Sequence, residues 1–238
     1  FLSDMVADSE DVKALQNGLL TLSNDRSQNK WSRLVLLKTP GNQRHWFRVN
    51  AYKQVDAFGL AEKMIIIFND VHEEVISSEK LLFQATRDEL TGLYNRAGFI
   101  EKAAEMIALR EPGYYVLSCL DIEKFKVIND QYGSDKGDEV LRQFAKVLES
   151  LNNGREVICC RAMADNFAVL YPARLLDTPE IAASHVASEV LDGSLPPLKT
   201  YAGRCVIDDK QLPISAIYDR AAIAMDTVKG RYDAYVAT

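Results

Sequence analysis

The run Tyr114 to Leu120 is apolar and ends on an acid, Asp121, and the polar stretch after it carries Lys126, Asn129 and Asp138. A carboxylate at the end of a central strand points into the crevice where open sheets bind ligands. Such a group can take Mg²⁺ and through it anchor a triphosphate, because this small hard cation prefers a few carboxylates plus phosphate oxygens. Lys126 adds a compact charge suited to phosphate. Asn129 and Asp138 offer the acceptors and donors that match a guanine edge, a carboxylate pairing well with adjacent N–H groups. A second acid, Asp165, lies in the short polar break Met163-Ala164-Asp165-Asn166 between two apolar runs, Val157 to Cys160 and Phe167 to Tyr171. That pattern reads as a β-hairpin with Asp165 at its tip, where a metal could be held. A tip built for phosphate is expected to carry glycines, which let the backbone turn sharply and lie against a nucleotide. This tip has none.

The elements that must position these residues are legible in the surrounding chain. At 238 residues there is room for two domains, each able to bury a core. A composition of 47% apolar and 26% charged residues, with seven prolines and twelve glycines, indicates no long disordered segment. The net charge of −6 supplies no basic face for DNA or RNA, which disfavours nucleic acid as a partner. The longest purely apolar run, Met64 to Phe68, is far short of a membrane span, and the first residues lack a signal-peptide pattern. A soluble, cytoplasmic segment without membrane contact is therefore expected. The cysteines, Cys119, Cys159, Cys160 and Cys205, show no metal-site spacing and read as buried free thiols.

Residues 1 to 30 read as helical, with Asp8 or Ser9 as cap and Val12, Leu15, Leu19 and Leu20 as a buried stripe. The period then changes. Trp31 to Lys38, His45 to Val55 and Met64 to Asp70 are β-rich runs separated by a turn at Pro40-Gly41-Asn42 and a looser segment around Gly59, which predicts an antiparallel sheet. A helix followed by three long strands, with His45-Trp46-Phe47-Arg48-Val49-Asn50 in the middle strand and Asn69-Asp70-Val71 at the close, resembles the second half of a PAS sensory domain over residues 1–71. That resemblance implies that Phe1 begins partway through such a domain or that the sheet is reduced. It identifies no ligand, and Trp46 and Phe47 read as core. Residues 72–86 contain no glycine or proline and set Val75 with Leu82, and Ile76 with Phe83, seven apart. This is the seam of a short coiled coil or of a packed helix, a natural mechanical linker.

Residues 87–238 form the last predicted segment, opening with Asp88-Glu89-Leu90-Thr91-Gly92-Leu93-Tyr94-Asn95-Arg96. Asp88 and Thr91 can cap a turn, Gly92 can take positive φ, and Asn95 can start a helix through Phe99 to Arg110. The stretch is similar to the opening of the GGDEF family, the diguanylate cyclases and their inactive relatives, where Asp88 and Arg96 would brace the fold. The run Asp121 to Asp138 looks like the family's D-I-D-x-F-K-x-I-N-D-x-x-G-x-x-x-G-D segment, with Glu123 in place of the second Asp. The resemblance implies that Asp121 holds metal, Lys126 touches phosphate, and Asn129 and Asp138 read guanine. The helix from Asp138 is predicted to bury Val140, Leu141, Phe144, Val147, Leu148 and Leu151. The family signature falls on Met163, Ala164, Asp165, Asn166 and Phe167, of which only Asp165 and Phe167 fit. Asp165 is then a vestigial catalytic acid that can share Mg²⁺ with Asp121. The family's product-inhibition pair would fall on Gly154 and Val157 and is absent. A helix Ala221 to Val228 ends in Lys229, which matches a phosphate-contacting lysine of the family. The next basic position falls on Asp233, and Arg231 is the nearby basic residue that could substitute from a different direction. His185 reads as packing or surface and Asp208-Asp209-Lys210 as a turn.

The expected fold is α+β: a partial PAS-like antiparallel sheet, then a nucleotidyl-cyclase-type GGDEF domain with a ferredoxin-like palm. The resemblance implies a cyclic di-GMP signalling module, catalytically impaired, that binds GTP with Mg²⁺ as a regulatory ligand. Its partner would be an EAL-type domain in a longer protein, since the tail from Lys229 to Ala237 is like GGDEF domains that continue into one, and it could form a homodimer. Two alternatives stay open: an active diguanylate cyclase joining two GTP molecules, and a nucleotide-independent interaction domain.

Overall fold

The computed structural model describes residues 9–25, 27–39, 43–56, 61–152, 154, 156–175, 199–231 and 236–238. Phe1, Asp8, the Pro40-Gly41-Asn42 turn, the segment around Gly59, His185, Asp233 and the side chain of Val12 lie outside that description. The chain divides into two compact units, Phe1–Leu81 and Leu82–Thr238. No helix among the described residues is long and apolar enough to cross a membrane.

In the first unit, helix α1 (Ser9–Asn24) precedes a sheet of three strands, β1 (Lys30–Lys38), β2 (Arg44–Val55) and β3 (Ala61–Asp70). All neighbours pair antiparallel in chain order, as the β-rich runs predict. Leu15 of α1 packs with Val35, Leu37 and Val49, with Leu19 and Phe47 against that cluster. One assignment is corrected: Leu20 is 60% exposed, while Leu22, absent from the predicted stripe, is buried. At 100° per residue, positions 15, 19 and 22 share a face and 20 does not. Trp46 is half-buried and stands outside the α1-facing cluster, because neighbours along a strand point to opposite faces. Helix α2 (His72–Thr86) is continuous, and none of its residues is buried.

The second unit opens on the predicted turn. The Asp88 carboxylate accepts bonds from the Thr91 N–H at 2.9 Å and the Thr91 hydroxyl at 2.6 Å, and Gly92 sits at φ 75°. Asn95 caps helix α3 (Arg96–Ala108), its side-chain oxygen accepting from Gly98 N–H at 2.9 Å. Its amide nitrogen donates to the carbonyl oxygens of Gln84, Ala85 and Arg87, serving the unpaired end of α2.

Strand β4 (Tyr115–Ile122) is the centre of a sheet ordered β5 (Ile158–Met163), β6 (Asn166–Pro172), β4, β7 (Thr200–Val206) and β8 (Val236–Ala237). It pairs antiparallel with β6 and β7, and β8 joins β7 in parallel. Helices cover both faces, so β4 is apolar at nearly every position. Val116, Leu120 and Ile122 pack with Val140, Leu141, Phe144 and Leu148 of helix α5 (Ser134–Ser150). Tyr115, Leu117 and Cys119 pack with Phe99 and Ala103 of α3 and with Ile217, Ala221 and Met225 of helix α6 (Ile214–Val228). The predicted α5 stripe is observed, with Val147 only partly buried. No element was assigned between Glu123 and Gly137, yet Phe125–Tyr132 folds as helix α4. Phe125 and Ile128 anchor it in the core, and Gly133, at φ 85°, turns the chain into α5.

Cys119, Cys159 and Cys160 are buried free thiols and Cys205 is partly buried. Burial pushes the Cys119 thiol up to about 12, which leaves it inert at neutral pH. Gly203 lets α6 lie directly on β7, since a Cβ there would stand 2.1 Å from the Ala221 carbonyl oxygen and the Met225 nitrogen. Backbone cannot yield as a flexible side chain can. Gly203→Ala is expected to cost about 2–3 kcal/mol, read as a melting temperature lowered by roughly 5–10 °C in calorimetry.

Candidate functional site

Strand alternation carries the sheet's α3/α6-facing row, Tyr115, Leu117 and Cys119, on to Asp121 at the open end of β4. There Asp121 is paired in register with Asn166 on one side and Tyr201 on the other. Two residues, Ala164 and Asp165, join β5 to β6, so the hairpin tip falls beside Asp121. Ala164 takes φ 50°, a left-handed value that favours glycine. The hairpin thus keeps a glycine-type bend without a glycine. Met163 is 72% exposed, and Phe167 is buried against Phe144 with ring centroids 4.7 Å apart.

Arg161, which sequence reasoning missed, ties this tip down. Its Nε donates to the Ala164 carbonyl oxygen at 2.7 Å, and its guanidinium reaches both oxygens of Asp88 at 3.2 and 3.3 Å. Asp88 therefore braces the fold as expected, through a partner that is 73 residues away. Arg96 braces a different place, pairing with Asp219 at 3.3 Å and lying over the Tyr218 ring. The available signal was a lone basic residue inside an otherwise apolar strand.

Asp121, Asp165 and Lys229 meet at the mouth. Lys229 Nζ donates to Asp121 Oδ2 at 2.8 Å and stands 3.5 Å from Asp226. Burial opposes the charge on Lys229, but its bonds and attraction to Asp121 and Asp226 outweigh that and hold its pKa above the usual lysine value. Burial, and then the charge of Asp121, raise Asp165 above the ordinary carboxylate range, against smaller opposing effects of Lys229 and Arg161. Two acids close enough to repel are a fitting seat for Mg²⁺, which takes one or two carboxylates and completes its shell with phosphate oxygens and water. A third acid, Glu123, is directed to Lys124 at 3.5 Å. Among the described residues no group of three or more His, Cys, Asp or Glu forms a cage of its own.

The other predicted residues lie at the α4–α5 corner. Lys126 is exposed on α4, one turn before Asn129. Asn129 rests against Gly137, where an added Cβ would come 1.9 Å from its Oδ1, so the glycine keeps this side chain beside the start of α5. Asp138 follows directly, half-exposed, with Arg142 at 3.9 Å. Gly154 (φ 75°) and the buried Val157 stand where the inhibitory pair would be. Beside them Glu156 binds Arg110 and, at 2.8 Å, the Tyr114 hydroxyl, another contact that the sequence did not reveal.

A family model described as "Diguanylate cyclase, GGDEF domain" matches residues 85–232. The chain belongs to the GGDEF family. It is 38% identical over 117 residues to diguanylate cyclase DgcM of Escherichia coli, the alignment covering 48% of this chain and 28% of DgcM. It is 35% identical over 133 residues to a diguanylate cyclase of Vibrio cholerae, covering 53% of this chain and 39% of that one. The chain thus spans well under half the length of these curated relatives. Among solved structures it is similar to the coiled coil and GGDEF domain of DgcB from Caulobacter crescentus in complex with c-di-GMP, at TM-score 0.56 and 24% identity, covering 70% and 93% of the two chains. It is also similar to the S helix-GGDEF-EAL segment of Vibrio cholerae LapD, at TM-score 0.56 and 15% identity, covering 69% and 39%. At these identities the structural likeness shows the α+β cyclase fold.

Because folded Asp165 holds its proton more tightly than the unfolded chain does, its ionisation costs stability, and the cost appears as pH rises through the raised value. In chelator-containing buffer Asp165→Asn is expected to melt higher than the parent at pH 7, with the gain vanishing near pH 3. Ala164→Gly is expected to stabilise by about 1 kcal/mol in denaturant titrations, by relieving the left-handed alanine.

Proposed function

We propose that this chain is a cyclic di-GMP signalling module whose GGDEF domain binds GTP with Mg²⁺ as a regulatory ligand and does not turn it over. Asp121 and Asp165 would hold the metal, Lys126 and Lys229 the phosphates, and Asn129 and Asp138 the guanine edge. Bound Mg²⁺ would neutralise the acid pair together with the phosphate oxygens. The observation that carries the reading is the tip: Ala164 occupies a glycine-type bend beside an intact pair of acids, with its carbonyl oxygen held by Arg161. The Ala164 Cβ and the Met163 side chain would fill room that a reacting triphosphate needs, and Asn166 brings no charge. A displacement of ~1 Å can cost about a hundredfold in rate.

Upstream, residues 1–71 would act as a PAS-like sensor. The unburied apolar positions Val75, Ile76, Leu82 and Phe83 of α2 suit a helical linker that pairs with a second copy. An EAL-type domain would be its partner in a longer protein, as GGDEF and EAL segments occur together in LapD. A second reading, a working diguanylate cyclase, is favoured by the retained acids Asp121 and Asp165 and by the relatives named cyclases.

In thermal-shift assays, saturating GTP with Mg²⁺ is expected to raise the melting temperature by about 5 °C or more, and Asp138→Ala to remove the shift. Chromatography of the same samples is expected to detect no cyclic di-GMP, and the triple change Met163→Gly, Ala164→Gly, Asn166→Glu to produce it. Cyclic di-GMP from the unaltered chain, lost in Asp165→Ala, would establish the second reading instead.

A further inference from the structure

The acid pair is not waiting unbalanced for a metal. Lys229 Nζ sits 2.8 Å from Asp121 Oδ2, and the Asp121 side chain is only 14% exposed, so the ammonium covers much of the face it offers. Lys229 is the residue directly after α6 and is followed by Gly230 at φ 77°. It is thus anchored at a helix end next to a bend. Asp226, one turn earlier on α6, lies 3.5 Å from the same nitrogen and gives the ammonium a second acid to face. A divalent cation seated between Asp121 and Asp165 would have to share Asp121 with this positive charge at contact distance.

We propose that Lys229 is the resident counter-ion of the acid pair and makes metal binding conditional on the triphosphate. The ammonium must leave Asp121 before a metal takes that oxygen, and the phosphates of an incoming nucleotide offer it somewhere to go. Metal alone is then disfavoured, whereas metal and nucleotide load together. One side chain thereby works against the metal in the empty site and for the phosphates in the filled one. This rests on the nucleotide-binding reading above for its second half only, since the competition with metal is a property of the empty site. Coupling between ligands at neighbouring positions is typically roughly 5- to 150-fold.

The test uses the whole chain and Mn²⁺ as a paramagnetic probe for Mg²⁺. Free Mn²⁺ is counted by electron paramagnetic resonance without nucleotide, and GTP binding is followed separately by calorimetry with Mg²⁺. Lys229→Gln is expected to bind Mn²⁺ alone about tenfold more tightly than the parent and GTP·Mg²⁺ about tenfold more weakly, whereas Lys229→Arg, which keeps the charge, stays near the parent for metal alone. A merely structural role would weaken both, and circular dichroism checks that each variant is folded. Equal Mn²⁺ affinity in the parent and Lys229→Gln would overturn the proposal. A gain that persists when Asp121→Asn is added would also overturn it, because the metal would then sit elsewhere. If the parent binds no GTP while Lys229→Gln still gains Mn²⁺ affinity, the counter-ion role stands and the nucleotide reading falls.

Discussion

Two carboxylates drawn together at the open end of a buried strand are the constraint around which the second unit is arranged. Asp121 reaches that place because β4 is buried on both faces and ends there, and Asp165 because the β5–β6 hairpin is registered so that Asn166 lies opposite Asp121. A slip of one residue would turn every side chain of β6 to the other face, so the core side chains Phe167, Val169 and Tyr171 enforce the register that brings the acids together. The arrangement is costly by itself: burial and mutual repulsion both work against ionised Asp165. Lys229 and Arg161 offset that cost from either side, one paired with Asp121 and the other holding the tip from its anchor on Asp88.

What the hairpin keeps matters as much as what it lacks. Its bend holds a left-handed residue at Ala164, a conformation that ordinarily favours glycine. On the function proposed above, occupancy is what matters at the tip, with a methyl at Ala164 and a thioether at Met163 where the family signature has glycines. At the α4–α5 corner the opposite holds: Gly137 is still a glycine, and Asn129 fits against it with no room to spare. A filled tip beside a closely fitted corner motivates separating ligand retention from turnover.

The sequence was most readable where a local pattern determines the structure. Asp121 stood out because an apolar run stops on an acid, Asn95 because a cap residue precedes a helical period, and α5 because its apolar positions recur at helical spacing. The three antiparallel strands of the first unit follow from the same reasoning, whereas the palm was expected from the family resemblance and its five-strand order came only from the structure. What stayed hidden depends on contacts between distant residues. Arg161 and Asp88 are 73 residues apart, and Lys229 and Asp121 are 108 apart, so neither pairing has a local signature. Lys229 was expected at the phosphates, and its hold on Asp121 emerged only from the geometry. Helix α4 was overlooked because its polar motif residues mask Phe125 and Ile128, its only buried positions. Leu20 was misplaced because three leucines in close succession cannot all face one side of a helix.

The separation of binding from turnover can be read directly by phosphorus NMR of GTP incubated with the whole chain and Mg²⁺. Retention without chemistry predicts that the three GTP phosphorus resonances shift or broaden on addition of protein and stay constant in total area over hours, with no new phosphodiester signal. A growing phosphodiester resonance accompanied by pyrophosphate would contradict it, and so would a GTP spectrum that the protein leaves unchanged.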